Sequence, residues 1–160
     1  MNFFALFVLL FEQALIGSFI LGFGFLGALD GIIFHQILQW HSVIMNTDRA
    51  GQIVSDGIFH LAVSIALVVG GILLWLAGKP TDLSSGVRKV LGWFLIGGGT
   101  FNLVEGIINH HILQIHRVKP DDPNVLVYDL AFLASGVLLL VIGFLLKQHN
   151  HKKRENSVHV

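Results

Sequence analysis

The sequence contains no cysteine, which excludes disulfide bonds and thiolate metal sites. Charged residues are also scarce: they make up 12% of the 160 residues, whereas a soluble domain carries about a quarter. The formal net charge is zero, so no basic surface indicates a nucleic-acid partner. Hydrophobic residues are abundant instead, at 54%. This composition predicts an all-α integral membrane protein in contact with lipid.

The hydrophobic residues fall into four segments, each long enough to cross a bilayer, which takes about 20 residues. These segments cover 14–41, 53–77, 88–116 and 125–147. We therefore expect one four-helix transmembrane domain over residues 1–147, followed by a basic cytoplasmic tail over 148–160. The apolar run 2–11 lacks the basic start and the cleavage site of a signal peptide. It is expected to extend the first helix or to lie in the membrane interface.

The positions of lysine and arginine predict the orientation in the membrane. Seven of these residues lie in the second loop region and the C-terminal tail, and three lie in the first and third loops. Both termini are therefore expected in the cytoplasm, with the chain in the plasma membrane, the inner membrane of a bacterium. The ends of the first and third helices then face outward.

An internal repeat is visible in the sequence. Two stretches align without a gap, Asp30-Gly-Ile-Ile-Phe-His-Gln-Ile-Leu-Gln-Trp-His41 and Glu105-Gly-Ile-Ile-Asn-His-His-Ile-Leu-Gln-Ile-His116. This predicts a duplicated helical hairpin, with repeats at about 11–77 and 86–147. Because each repeat has two spans, both enter the membrane in the same direction, which predicts a pseudo-twofold axis along the membrane normal. The clearest asymmetry is His60, which aligns with Leu133.

Ionisable side chains within a membrane span are costly and face the protein interior or a cavity. The predicted spans contain an unusual set of them, with two further histidines near the outer ends. The set is Asp30, His35, Asp56, His60, Glu105, His110, His111 and Asp129, with His41 and His116. Imidazole with carboxylate support suits zinc, copper and iron, so the set predicts a transition metal site.

Helical periodicity, at about 100° per residue, suggests how these groups are arranged. Glycines at seven-residue spacing share a face with His35, and an equivalent row shares a face with His110; the two rows are Gly17, Gly24, Gly31 and Gly92, Gly99, Gly106. Small residues let membrane helices approach closely. We therefore expect the first and third helices to cross along these rows, with His35 facing His110.

The remaining groups are sorted by angle and by depth. Asp30 and His41 are expected together on a face about 140° from His35, and Glu105 and His116 are expected to be placed likewise. By depth, an inner layer holds the candidate ligands and an outer layer holds supporting groups. The inner layer is His35, His60, His110 and His111, and the outer layer is His41, His116, Asp56 and Asp129.

Several functions remain open for such a site. The favoured one is metal handling or redox chemistry on a lipid-soluble substrate. A haem b electron carrier that exchanges with quinone is an alternative, with His35 and His110 as axial ligands. A metal-dependent membrane hydrolase and a proton pathway without a cofactor are further alternatives, and interhelical hydrogen bonding is the purely structural interpretation.

The repeated motif, together with Asp-Gly-Ile-Phe-His at 56–60, resembles a family of bacterial predicted membrane proteins catalogued as domain of unknown function 2243. The resemblance covers nearly the whole chain up to the tail and implies a four-span protein. Relatives encoded near oxidase-assembly or copper-handling genes imply a slight preference for copper. They also imply a respiratory oxidase or its assembly factors as a partner. A homo-oligomer is also compatible with the sequence.

The predicted orientation can be tested with single cysteines, because the native chain has none. A Thr47→Cys variant should react in intact cells with a membrane-impermeant maleimide, since the first loop is expected outside. A Ser157→Cys variant should react only after the membrane is permeabilised. The opposite labelling pattern would show that the orientation is reversed.

Overall fold

The computed structural model describes residues 3–78 and 83–158, with side chains over 13–78 and 86–148, and the described residues form no strand. Four α-helices and two π-helices follow one another along the chain. They are α1 (Phe3–Asp30), π1 (Gly31–Ile37), α2 (Arg49–Ala77), α3 (Leu83–Glu105), π2 (Gly106–Ile112) and α4 (Val125–Val158). In π1 and π2 each N–H bonds to a carbonyl five residues back, which makes the turn wider than in an α-helix.

Within the described residues, four stretches are long and apolar enough to cross a membrane, as the sequence predicted. They are Gln13–Ile37, Arg49–Ala77, Gly86–Ile112 and Val125–Gln148. The first and third spans end earlier than predicted, because the chain leaves the helix after Ile37 and Ile112. Helix α1 begins at Phe3, so the opening apolar run extends the first helix. Helix α4 continues to Val158, through most of the stretch assigned to the tail.

The ends of α2 carry recognisable caps. The Asp48 carboxylate accepts a hydrogen bond of 2.8 Å from the Gly51 N–H, which satisfies a donor that has no partner inside the helix. At the other end Gly78 adopts φ 73°, a positive value that costs glycine little, and its N–H donates to the Trp75 carbonyl oxygen. These caps set the length of α2 and therefore the depth of the side chains on it.

The helices pack as a row with α1 and α3 in the middle. Helix α1 contacts α2 and α3, and α3 contacts α4. Among the described residues, no interface joins α1 to α4 or α2 to α3. A groove is therefore left between α1 and α4, beside the ends of the two π-helices.

The predicted crossing of α1 and α3 along the seven-residue glycine rows is wrong. Gly17 and Gly24 lie against α2, beside Gly70 and Ala66. The second row behaves likewise, with Gly92 and Gly99 against Gly143 and Gly136 of α4. Periodicity places small residues on one face of a helix but does not say which neighbour that face meets.

The close approach of α1 and α3 depends on Gly22 and Gly97. A methyl group on Gly22 would collide with the carbonyl oxygen of Phe94, and one on Gly97 would collide with the carbonyl oxygen of Phe19. Each helix thus places its backbone directly against the other. This contact brings the two π-helices, and the histidines on them, to the same end of the helix pair.

Replacing Gly22 by alanine should push α1 away from α3 and destabilise the protein by about 1–3 kcal/mol, the usual cost of overpacking. Thermal unfolding in detergent measures the change. Gly71→Ala is the matched control, since no atom outside the adjacent backbone of α2 lies within 4 Å of the added carbon, and it should stay within about 0.5 kcal/mol of the native protein. Equal stability of the two variants would contradict the crossing.

Candidate metal centre

Four buried histidine rings form a continuous row at the end of α1 and α3. His41 and His116 stack face to face in the centre, with ring centroids 4.6 Å apart and planes 9° apart. His35 meets His41 edge-on at 4.6 Å, and His110 meets His116 edge-on at 4.9 Å. All four are at most 4% exposed. Ligand candidates from both halves of the chain therefore share one site.

The π-helices explain why a carboxylate accompanies each inner histidine. Asp30 and His35 are five residues apart, and the i→i+5 turn brings Asp30 Oδ2 to 3.5 Å from His35 Nε2. Glu105 and His110 have the same spacing across π2. The prediction that Asp30 lies about 140° from His35 is wrong, because it assumed α-helical geometry. Single-turn π segments are frequent at functional sites.

A strained turn returns the outer histidines to the site. After π1 the backbone of Gln39 adopts φ 50°, and after π2 Gln114 adopts the same value. This left-handed conformation costs a non-glycine residue about 1–2 kcal/mol. It lets His41 and His116 fold back beside the inner histidines, so the predicted separation into two layers is wrong. His35 and His110 do not face each other directly either, since the stacked pair lies between them.

The outer histidines are fixed by reciprocal hydrogen bonds between the two halves of the chain. His41 Nδ1 lies 2.8 Å from the carbonyl oxygen of Val118, and His116 Nδ1 lies 2.8 Å from that of Val43. A carbonyl can only accept, so each Nδ1 carries the hydrogen and donates it. In a neutral ring each Nε2 is then left with a lone pair. His41 Nε2 has no hydrogen-bond partner among the described residues, whereas His116 Nε2 lies 3.0 Å from Glu105 Oε1. This is how ligand histidines are commonly oriented in metal sites.

The electrostatic surroundings keep His41 neutral. Burial, with help from His116 and His35, lowers the pKa of His41 to about 2. Desolvation disfavours the charged imidazolium, and neighbouring histidines that would also become charged disfavour it further. His41 therefore offers a neutral nitrogen at any ordinary pH, which is the form that binds a metal.

Two aspartates anchor the segments that carry the outer histidines. Asp56 Oδ1 accepts the Val43 N–H at 2.8 Å and lies 3.1 Å from His35 Nδ1. Asp129 Oδ1 accepts the Val118 N–H at 3.0 Å and lies 3.6 Å from His110 Nδ1. Each aspartate thus holds the backbone beside one hydrogen-bonding carbonyl and orients an inner histidine.

The two halves of the site are not equivalent. Arg117 Nη1 donates to Asp129 Oδ2 at 2.7 Å, whereas the aligned position is Ser42. Asn109 donates to Glu105 Oε2 at 2.8 Å, whereas its aligned residue is Phe34. The second half therefore has additional polar support. Sequence reasoning overlooked both residues, although Arg117 directly follows the second motif.

The ligand atoms converge in two groups, one from each half. Each group has two histidines and one carboxylate, and its three ligand atoms lie within 4.8 Å of one another. The first triad is Asp30, His35 and His41, and the second triad is Glu105, His110 and His116. Two histidines with one carboxylate form the ligand set of many zinc and non-haem iron sites.

The two remaining predicted histidines lie outside both triads. His60 packs against Gly31 and its own neighbour Phe59, with its Nε2 buried and unpartnered among the described residues. His111 Nε2 is likewise buried without a partner there. The structure therefore separates these two from His35 and His110, with which sequence depth had grouped them.

Comparisons with known proteins give a family. A family model described as predicted membrane protein, domain of unknown function 2243, matches residues 17–150, so the chain belongs to this family. No curated protein and no solved structure matches the chain.

Removing the Arg117 side chain tests the support of the second half. Arg117→Ser introduces the residue type found at the aligned position, Ser42. It leaves the fully buried Asp129 carboxylate without its arginine partner. Since Arg117 is partly exposed, we expect a loss of about 1–2 kcal/mol in thermal unfolding, below the cost of breaking a fully buried pair. Arg49→Ser, which removes an exposed arginine, should change stability by less than about 0.5 kcal/mol. Similar losses in both variants would count against the anchoring role.

Proposed function

We propose that this member of the domain of unknown function 2243 family is an integral membrane metalloprotein that binds a transition metal at the two triads. One observation carries the proposal. Six side-chain atoms of the triads are buried and make no well-aligned hydrogen bond, namely Asp30 Oδ2, His35 Nδ1 and Nε2, His41 Nε2, His110 Nδ1 and His116 Nε2. All of them except His41 Nε2 lie 3.0–3.6 Å from an imidazole or carboxylate atom of a neighbouring side chain. Leaving one such group unsatisfied costs about 1–3 kcal/mol. A bound cation satisfies several of them at once.

The contact between His116 and Glu105 supports a cation in the second triad. His116 Nε2 lies 3.0 Å from Glu105 Oε1. Because Nδ1 already carries the hydrogen, a neutral His116 would place a lone pair against the carboxylate. Two atoms that each bind one metal ion at about 2.1 Å lie at a comparable separation when they are adjacent ligands. Either a shared metal ion or a proton resolves the repulsion.

The donor set limits which metal fits. Imidazole and carboxylate suit iron, zinc and Cu(II), whereas Cu(I) prefers thiolate and thioether ligands. The nearby thioether of Met45 accepts a hydrogen bond from the Ser42 N–H at 3.2 Å. Haem b is disfavoured, because the stacked pair of His41 and His116 fills the space between His35 and His110. Copper remains in the proposal as Cu(II).

Several matched features support an internal duplication about a pseudo-twofold axis along the membrane normal. The two π-helices, the two glutamines with φ 50° and the two reciprocal histidine–carbonyl bonds all occur at aligned positions. With both termini in the cytoplasm, the site lies near the outer leaflet. A duplicated hairpin would place one triad in each half of the chain. The stacked rings of His41 and His116, one from each triad, would bring the two triads together.

A proton relay is the second candidate function. Asp30, His35 and Asp56 form a chain of contacts at 3.5 and 3.1 Å. Such a chain can pass protons without a metal, and it would explain histidines buried in a membrane. The two functions make opposite predictions for the metal content of the purified protein.

Elemental analysis of the protein purified in mild detergent tests the proposal. We expect stoichiometric iron, zinc or copper in the native protein. A His41→Ala/His116→Ala double variant should lose it, because one ligand is removed from each triad. Asp56→Asn should keep the ligands but weaken metal affinity by roughly 10- to 100-fold, as expected for a group that orients a ligand.

The histidines outside the triads provide matched controls. His60→Leu introduces the residue found at the aligned position 133, and His111→Gln introduces the residue found at position 36. Both variants should keep the metal. A native protein that is folded, free of metal and unable to take up added metal would reject the proposal and favour the proton relay. If His60→Leu lost its metal and His111→Gln did not, His60 would be a metal ligand, as the sequence-based depth argument predicted.

A further inference from the structure

A cavity of about 350 Å³ opens between α1 and α4, where the described helices form no interface. Its walls include Leu26 and Leu29 of α1 and Ala131 of α4, and its floor includes Asn102 of α3. All of these residues lie within the candidate membrane spans. The cavity is therefore accessible sideways from lipid, and its volume lies at the lower end of the range for small-molecule sites.

Aromatic rings surround the outer end of this cavity. Trp40 stacks on Phe34 at 5.4 Å and meets Tyr128 edge-on at 5.5 Å. The Lys119 ammonium lies 5.1 Å from the Trp40 ring and 5.0 Å from that of Tyr128, which fixes both rings by cation–π contact. These rings close the cavity toward the membrane surface and leave the lipid side open.

The polar groups of the cavity favour a ligand that donates a hydrogen bond. Asn102 donates to Ser135 Oγ at 2.8 Å, and Ser135 donates to the Phe132 carbonyl at 2.6 Å. The Ser135 hydroxyl hydrogen and one of the two Asn102 amide hydrogens are thus used within the protein. Asp30 also lines the cavity and is 5% exposed, and an ionised carboxylate can only accept hydrogen bonds. Its Oδ2 is buried against His35 Nε2 at 3.5 Å, so a ligand in the cavity would meet the other carboxylate oxygen. A hydroxyl group is the ligand group that satisfies it.

The cavity is separated from the histidines by a single layer of rings. Phe34 contacts His41 at 6.2 Å between centroids, and Phe132 contacts His110 at 5.3 Å. Phe34 and Phe132 in turn meet each other at 6.5 Å. A molecule in the cavity would therefore lie beside Asp30 of the first triad without displacing any histidine.

From these observations we infer that the cavity binds a membrane-dissolved phenol or quinol with one ring, whose hydroxyl group donates to Asp30. The ring packs among Phe34, Trp40 and Tyr128, and the alkyl tail leaves between α1 and α4 into the lipid. The inference deepens the proposed function, since it names the class of substrate that the metal centre would meet. A lipid acyl chain is the competing occupant, and it differs in having no hydroxyl donor.

Fluorescence quenching of Trp40 provides a direct test. A Trp75→Phe/Trp93→Phe background leaves Trp40 as the single tryptophan. The probe is 2-bromo-4-decylphenol, titrated into protein in lipid nanodiscs, where its bromine quenches a nearby indole. We expect saturable quenching. Bromodecylbenzene, which lacks the hydroxyl group, should bind at least about tenfold more weakly, a difference of about 1.4 kcal/mol.

Two substitutions show whether the quenching comes from the cavity. Ala131→Phe fills it from α4 and should weaken phenol binding at least about tenfold, whereas Ile58→Phe, on the lipid-exposed face of α2, should leave it unchanged. Quenching that does not saturate, or that is the same in Ala131→Phe, would overturn the inference. Equal binding of both probes would assign the cavity to acyl chains. Metal content, measured on the same samples, tests the proposed function separately.

Discussion

The reciprocal hydrogen bonds of His41 with Val118 and of His116 with Val43 are the interaction on which the rest of the site depends. They join the two halves of the chain at the point where the helices end. They also assign the hydrogen to Nδ1 in both rings, so that Nε2 is the nitrogen turned toward the ligand atoms of each triad. Without them, the stacked pair would lose the hydrogen bonds that fix the orientation of both rings.

The backbone is strained where it serves this arrangement. Two π-helices and two glutamines with φ 50° each depart from the geometry that a membrane helix would otherwise keep. In lipid, every backbone group must find a partner, so such irregular segments are tolerated only where protein encloses them. Here the anchoring carboxylates of Asp56 and Asp129 accept the N–H groups that follow the turns. The helices are thus interrupted at the one place where ligands are gathered.

Much of the candidate site was predictable from sequence because charged and imidazole groups are so costly within a membrane span. That cost alone selected Asp30, His35, Glu105 and His110 as interior residues. Their relative positions were not predictable from α-helical periodicity, which turns the chain by about 100° per residue. Over these segments the chain forms the wider π-helix instead. The glycine rows failed for a related reason: their spacing was correct, but α2 rather than α3 lies against Gly17.

The sequence by itself determined the membrane class, the four spans and the set of residues that must be buried, because these follow from hydropathy and from the cost of desolvating polar groups. Only the tertiary structure decided which of those residues meet. Two atoms 77 residues apart, His41 Nδ1 and the Val118 oxygen, lie at hydrogen-bond distance because α1 and α3 cross at Gly22 and Gly97. Helix packing also decided that His60 lies outside the triads, because its ring packs against Gly31 of the neighbouring helix. Contacts of this kind depend on how whole helices are placed, which local periodicity does not encode.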